Sequence, residues 1–500
     1  MNSLALSLPA LNNNESSPKH AQNEPINDFP RMTFSKPIPA PSLFLSVSLL
    51  LLTGCASAPD QQSPPNITLP EHWSAATLID STKPQAWLED FQSPQLIALI
   101  DEALAHNADL QLAAARLDQS ISEARIAGAD PRPQLALGLN GQRQKISTFG
   151  PTSTAGIRFD NYDFGLNLNW ELDLWGRLRN RNSAALAQVA ATQAEFEGAR
   201  LSLAAQVSKR WFNSLEAHQQ LQLAESTARA YSENLNAIEA RFKRGISSGV
   251  DLSRIRTQNA SAQAQIAARQ RALDGATRAL EVLLGRYPDA SVAADSDMLP
   301  DLPRAIPAGI PAQLLQRRPD LIAAERKLAA VDQELRAANK DRLPRISLTA
   351  SGGSSSQEFQ ELLDSDFSVW SLGANLTQPL FQGGRIAANI DRTQAQVDQA
   401  RAHYRATALQ AFLEVEATLA AEKFLQEEYA RLAQSAEEAH TTETLAWQRY
   451  RNGSADFLQA LDAQRTADQA RSQLLRLRNS LLQNRIDLYL ALGGPFYSAS

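Results

Sequence analysis

The sequence has little of what metal and nucleic-acid sites require. It contains one cysteine, Cys55, and six scattered histidines, which excludes an internal disulfide and leaves no metal-ligand spacing. Its 48 basic and 54 acidic residues are interspersed and give a formal net charge of −6. No basic stripe therefore exists to gather phosphates, and we expect no metal and no nucleic-acid partner.

Motifs for nucleotide binding and catalysis are also missing. The sequence has no P-loop and no dinucleotide fingerprint after a predicted parallel strand. The stretch from Gly245 to Gly249 matches the G-x-S-x-G pattern of serine hydrolases, with Ser247 at its centre. That motif needs a strand before it, whereas a long helix is predicted here. We expect neither enzymatic activity nor a cofactor.

Proline is absent from two long stretches, one of which also has almost no glycine. Residues 386–492 contain one glycine and no proline, and residues 178–284 contain no proline. As one helix, residues 386–452 would be about 100 Å long at about 1.5 Å per residue. Apolar residues recur at helical spacing, as in Val207, Trp211 and Leu215. Long helices with coiled-coil-like packing are predicted, a feature that an ordinary helical scaffold or adhesin would share.

The lone cysteine follows a short apolar run, residues 43–52, that Arg31 and Lys36 precede. This is the pattern of a secretory signal, and the run is too short to span a bilayer. Residues 52–55, Leu-Thr-Gly-Cys, resemble the bacterial lipoprotein box, in which cleavage before the cysteine is followed by acylation of its thiol and amine. We predict a signal peptide at residues 1–54, with Met32 as the true start, and lipidation of Cys55. The alternative is a chance cysteine after an ordinary signal.

The chain repeats itself, with an offset of 211 residues from Pro133 to Pro344 and a constant offset of 208 farther along. Gly245 and Gly453 lie 208 residues apart, and Gly176-Arg177 and Leu284-Gly285 recur at the same spacing. One inserted residue would rotate a helix by about 100°, so a constant register indicates continuous helices of matched length. We predict repeats at residues 93–285 and 312–494, a linker at 286–311, a lipidated segment at 55–92 and a tail at 495–500.

Four short stretches instead alternate with a period of two. They are residues 135–139, Tyr162–Leu174, residues 346–350 and Trp370–Leu380. Each half therefore reads helix, strand, loop, strand, long helix, tight turn, long helix. Such strands suit a soluble sandwich, but aromatic ends and an exported chain favour membrane strands. Four strands cannot close a barrel, whereas three copies would supply twelve.

Several motifs in the right order resemble the TolC-like outer-membrane efflux factors, in the lipoprotein branch called NodT-type that includes OprM. They are Trp170–Arg177, Arg317–Leu321, Pro379–Arg385, Glu414–Ala417 and Ala491–Gly494. Gln382 departs from the branch, which usually has aspartate there. The resemblance implies a mainly α protomer, a trimeric twelve-stranded outer-membrane β-barrel, a long periplasmic α-helical barrel and a belt that includes the linker.

The same resemblance implies a passive trimeric duct. Its partners would be a periplasmic adaptor and an inner-membrane pump of the resistance-nodulation-division type, and its cargo would be drugs or other small toxic compounds. Cys55 would carry N-palmitoyl and S-diacylglycerol groups, placing the protein in the outer-membrane lipid. The alternative within this fold is the outer component of type I protein secretion.

Two turns and one helical face are the candidate sites. Gly245 with Ile246 and Gly453 with Ser454 each follow basic residues, as expected where a helix ends. The resemblance assigns adaptor docking to these tips. It also assigns a periplasmic gate to Leu458 and Asp462, which lie one helical turn apart. Arg254 occupies the position 208 residues before Asp462 and would pair with it if they are neighbours. Alternatively, Leu458 packs between helices and Asp462 is a surface carboxylate.

Overall fold

The computed structural model describes residues 73–75, 87–146, 156–292, 298–302 and 311–494. All of them belong to the larger of two compact units, Gln61–Ser500. The predicted signal peptide, Cys55 and the tail at 495–500 lie outside the described residues. Among the helices that are described, none is both long and apolar enough to cross a membrane.

The helices follow the predicted order in both halves. The two longest, Arg177–Lys243 and Arg385–Arg451, each contain 67 residues, as the constant repeat spacing requires. Each is followed by a tight turn and a helix of 36 or 35 residues that packs back along it. The bounds are α1 Pro94–His106, α2 Ala108–Ala129, α3 Arg177–Lys243, α4 Gly249–Leu284, α5 Pro311–Arg317, α6 Pro319–Lys340, α7 Arg385–Arg451 and α8 Phe457–Ala491.

The four strands form one antiparallel sheet in the order of the sequence, which leaves the first and the last strand as edges. Their register places Leu168 opposite both Leu135 and Ala350, and Ala350 opposite Leu372. The leucines and tryptophans of the four strands therefore share one face, as the period of two predicts, whereas Ile146, Ile157, Phe159 and Val369 lie on the other. The strands are β1 Gln134–Ile146, β2 Ile157–Leu172, β3 Arg345–Ser356 and β4 Ser368–Thr377.

The strand ends differ from those predicted. β2 begins five residues before Tyr162 and ends before Leu174. It ends because the carboxylate of Asp173 accepts hydrogen bonds from the backbone N–H groups of Leu178, at 3.0 Å, and Arg179, at 2.8 Å, at the start of α3. β4 stops at Thr377, before Leu380, because Pro379 has no N–H to donate to a ladder.

In each half, a hydrogen bond joins the residue before a helix to a carbonyl at the end of the hairpin. Asn107, before α2, donates a side-chain hydrogen bond to the carbonyl of Leu283 at 2.9 Å. Arg318, before α6, donates to the carbonyl of Ala491 at 3.1 Å and also pairs with Glu414 at 2.7 Å. Leu283 and Ala491 lie 208 residues apart, and Asn107 and Arg318, which lie 211 residues apart, are the N-cap residues of α2 and α6. Equivalent carbonyls are therefore held from the same place in each half. These contacts hold the base of each long hairpin.

The largest buried cluster lies where α1, α3, α4 and α8 meet a short 3-10 helix, Glu89–Phe91. Trp87 is 1% exposed and stacks on Tyr489, with ring centroids 5.4 Å apart. Trp211 and Leu215, from the predicted helical stripe, are buried in the same cluster. The core therefore lies at the bases of the hairpins and leaves their turns at the opposite ends.

Candidate functional site

The turns that end the two hairpins have the same geometry. Gly245 and Gly453 both adopt φ of +75°, in the left-handed region that favours glycine. The N–H of Ile246 donates to the carbonyl of Arg241 at 2.9 Å, and the N–H of Ser454 donates to that of Arg449 at 3.0 Å. Both closures satisfy carbonyls at a helix C-terminus, which ends α3 and α7 sharply and leaves the tips exposed.

An aromatic cluster joins the two tips within one protomer. Tyr450 packs against Phe457 with ring centroids 5.6 Å apart, and both pack against Trp447. From the first hairpin, the guanidinium of Arg241 lies 5.0 Å from the centroid of the Tyr450 ring. The Ser247 hydroxyl lies 3.3 Å from the Tyr450 hydroxyl. These contacts fix one hairpin tip against the other.

The predicted gate residues lie on the face of α8 that points away from this cluster. Phe457 and Leu461 are buried at 1% and 5% exposure, whereas Leu458 is 47% exposed and Asp462 is exposed. This difference follows from the helical period, since residues four apart share a face. Within one protomer Leu458 therefore does not pack into the buried cluster, and both side chains are free to face a neighbouring molecule.

The equivalent face of α4 carries Val250 and Arg254, both exposed. Within one protomer, the described residues include no ion pair between Arg254 and Asp462. A pair between these two side chains would therefore have to join different protomers. The gate assignments for Leu458, Asp462 and Arg254 stay predictions.

A polar network that the sequence did not reveal lies farther along the same hairpins. Asp468 on α8 accepts a hydrogen bond from Thr227 on α3 at 3.1 Å, while its second oxygen is buried without a partner among the described residues. Arg471 lies 3.6 Å from Asp468 and bridges at 2.9 Å to Glu443 on α7. His440 contacts both Arg471 and Glu443. Burial raises the pKa of the Asp468 carboxyl to about 6.

Replacing Asp468 by asparagine is expected to stabilise the protein at pH 8 by up to about 3 kcal/mol. The folded state binds this proton more tightly than the unfolded state, whose ordinary pKa is 3.8. The stabilisation that the bound proton gives the folded state is therefore fully present below pH 3.8. It is lost as the pH rises through about 6. Asp468→Asn removes the buried charge, so its melting temperature should exceed that of the unchanged protein at pH 8 and match it at pH 4.

The matched control is Asp118→Asn, which changes an exposed aspartate on α2. It should leave the melting temperature unchanged at both pH values. Equal melting temperatures for Asp468→Asn and the unchanged protein at pH 8 would contradict the assigned burial penalty.

The fold and these sites can be compared with known proteins. The profile of a family described as outer membrane efflux protein matches residues 99–286 and 310–494. The chain belongs to the outer membrane efflux protein family. The predicted mainly helical protomer with four strands and its function as an outer-membrane efflux channel are thereby confirmed.

Individual relatives agree with this assignment. The solvent efflux pump outer membrane protein SrpC of Pseudomonas putida is 32% identical over 461 residues, covering 89% of this chain and 97% of SrpC. The cation efflux system protein CusC of Escherichia coli O6:H1 is 32% identical over 453 residues, with 89% and 96% covered. A solved membrane protein from Pseudomonas aeruginosa superposes with a TM-score of 0.81 at 31% identity, covering 88% of this chain and all of that one.

Proposed function

We propose that three copies of this chain form a continuous passive duct across the outer membrane and periplasm. The observation that carries this proposal is the sheet, whose apolar face is exposed and whose first and last strands each have an outer edge without a strand partner among the described residues of one protomer. Leu135 on β1 and Leu372 on β4 are 66% and 76% exposed. Unpaired edges are too costly in lipid, so β1 must pair with β4 of another copy. Three copies give twelve strands, an even number in the range of membrane barrels.

The helical part supports a duct that receives cargo from other proteins. The exposed tips at Gly245, Ile246, Gly453 and Ser454 would contact a periplasmic adaptor. An inner-membrane pump of the resistance-nodulation-division type would supply the energy and choose the small toxic compounds that enter. The named relatives act in efflux of solvents and cations, which fits such a cargo. The linker at 286–311 and residues 55–92 would belong to the belt around the duct.

The gate belongs to the same proposal. In a three-fold assembly Leu458 becomes an apolar ring and Asp462 an acidic ring. An apolar ring blocks ions by dewetting, and an acidic ring favours cations. Arg254 of one protomer would pair with Asp462 of the next and stabilise the closed state, and adaptor docking would break that pair.

A deletion strain tests the proposed function. Loss of the gene should increase susceptibility to a panel of small toxic compounds, and a plasmid copy should restore resistance. The amount and pattern of secreted proteins should be unchanged. Unchanged susceptibility together with loss of a secreted protein from the medium would contradict efflux and support type I secretion.

Lipid attachment at Cys55 is a further part of the proposal. Cys55→Ser should abolish incorporation of radiolabelled palmitate, because the sequence offers no second thiol. The variant should still reach the outer membrane in part, since the sheet also holds the protein there. Ser57→Ala, two residues away, is the control and should label normally. Labelling that persists in Cys55→Ser would overturn this assignment.

A further inference from the structure

Two positive charges face each other at the end of the sheet that is farthest from the helices. Lys145 on β1 and Arg158 on β2 are direct partners in the antiparallel register. Both are exposed, and neither forms an ion pair with a described residue. Side chains that are directly opposite have Cβ atoms about 5 Å apart, and like charges there are destabilising. An anion between the two side chains would therefore offset their repulsion.

The surrounding chain supplies only part of that negative charge. Two residues along the ladder, on the same face, Arg143 and Asp160 form a pair with two N–O contacts of 2.6 Å. Asp160 is thus already engaged by Arg143. The loop that joins β1 to β2, residues 147–155, contains no charged side chain in its sequence. Lys145 and Arg158 are left without a carboxylate from their own hairpin.

The position of these charges identifies the kind of anion. Lys145 and Arg158 lie on the same face of the sheet as Leu166 and Leu168, because partners in the register share a face and side chains alternate. Along β2, that face passes from leucines to Tyr162 and then to the charged residues. An apolar band that ends in an aromatic residue marks the edge of the hydrocarbon layer. The charges therefore lie at headgroup level.

We propose that Lys145 and Arg158 bind a phosphate of an outer-leaflet glycolipid. This inference rests on the proposed function, because it places the helices in the periplasm and this end of the sheet at the cell exterior. A phosphate has enough acceptor oxygens to take charge-assisted hydrogen bonds from both side chains at once. Its negative charge removes the repulsion across β1 and β2 and attaches an ordered lipid to the barrel wall.

A carboxylate from the next protomer is the competing source of charge. Asp364 and Asp366 precede the edge strand β4, which would lie beside β1 of a neighbour. The position of Arg158 favours lipid, because Arg158 lies on β2, one strand away from the edge.

The test titrates detergent-solubilised full-length protein with fluorescent bisphosphorylated lipid A and with the same lipid lacking phosphates. The variant is Lys145→Gln with Arg158→Gln. Its matched control is Arg405→Gln with Lys423→Gln, which removes two exposed charges from α7. The variant should bind phosphorylated lipid at least about tenfold more weakly, since each charged hydrogen bond contributes about 1.5 kcal/mol or more and about 1.4 kcal/mol corresponds to a factor of ten. The control should bind normally, and dephosphorylated lipid should bind weakly to every protein.

The oligomeric state of the same samples, measured by native mass, separates the possible failures. If the unchanged protein is a trimer and the variant binds phosphorylated lipid as tightly as the control, the lipid site is wrong and the duct stands. A variant that loses the trimer in lipid-free detergent would assign these charges to a contact between protomers and would also overturn the lipid site. A monomeric unchanged protein would contradict the proposed duct itself.

Discussion

Replacing Leu168 by arginine is expected to destabilise the membrane-inserted protein by about 2 to 4 kcal/mol, the cost of a cation on a lipid-facing strand near the bilayer midplane. Leu168 lies between Leu135 and Ala350 on the apolar face of the sheet. An arginine there has no water and no carboxylate among its neighbours on that face. The measurement is the free energy of unfolding in urea after folding into vesicles.

The control substitutes the preceding residue, Asn167, whose side chain points to the other face. Asn167 lies between Ala136 and Ser351, and the Ser351 hydroxyl contacts that of Ser371 at 2.8 Å. This polar face would line the water-filled lumen, so Asn167→Arg should cost far less than Leu168→Arg. Similar losses for the two variants, or a larger loss for Asn167→Arg, would show that the apolar face does not face lipid.

The double variant Leu458→Ala with Asp462→Ala is expected to raise single-channel conductance several-fold in planar bilayers and to lower the cation selectivity of the pore. Both side chains are exposed on one face of α8 next to the hairpin tip. Truncating the leucine ring widens the dewetted constriction, and removing the carboxylate ring removes the charge that favours cations.

The exposed glutamine next to Leu458 on α8 provides the control. Gln459→Ala should keep the conductance of the unchanged protein, and both variants should remain trimeric by native mass. Unchanged conductance and unchanged selectivity in the Leu458 and Asp462 variant would remove the gate from these residues. Arg254→Ala alone should raise conductance by a smaller factor if Arg254 pairs with Asp462 across protomers.

The sequence predicts the elements of this fold well because their patterns are long. The absence of proline and the constant spacing of 208 residues required α3 and α7 to be equal in length, and each has 67 residues. Alternation placed Leu168 and Leu372 on one face before any register was known. Capping chemistry placed both turns at Gly245 and Gly453.

Contacts between distant elements could not be predicted in the same way. A helical period shows which face is buried but not which helix covers it, so the pair between Arg318 and Glu414 and the network around Asp468 emerge only from the structure. The ends of the strands were also not predicted correctly. The sheet extends past the apolar residues, since backbone pairing continues through Arg143 and Lys145, and their opposition to Asp160 and Arg158 was missed.

Cross-linking of the two sheet edges tests whether β1 of one copy pairs with β4 of another. Within one chain β1 and β4 are separated by two strands, roughly 14 Å at about 4.8 Å per step, and a disulfide needs Cα atoms within about 7 Å. Leu137→Cys combined in turn with Trp370→Cys, Leu372→Cys or Ala374→Cys can therefore form a bridge only between copies. A barrel of three copies should give covalent dimers and trimers, and nothing larger, from at least one of these cysteine pairs. Only monomers from every pair, or a ladder that continues beyond three, would contradict it.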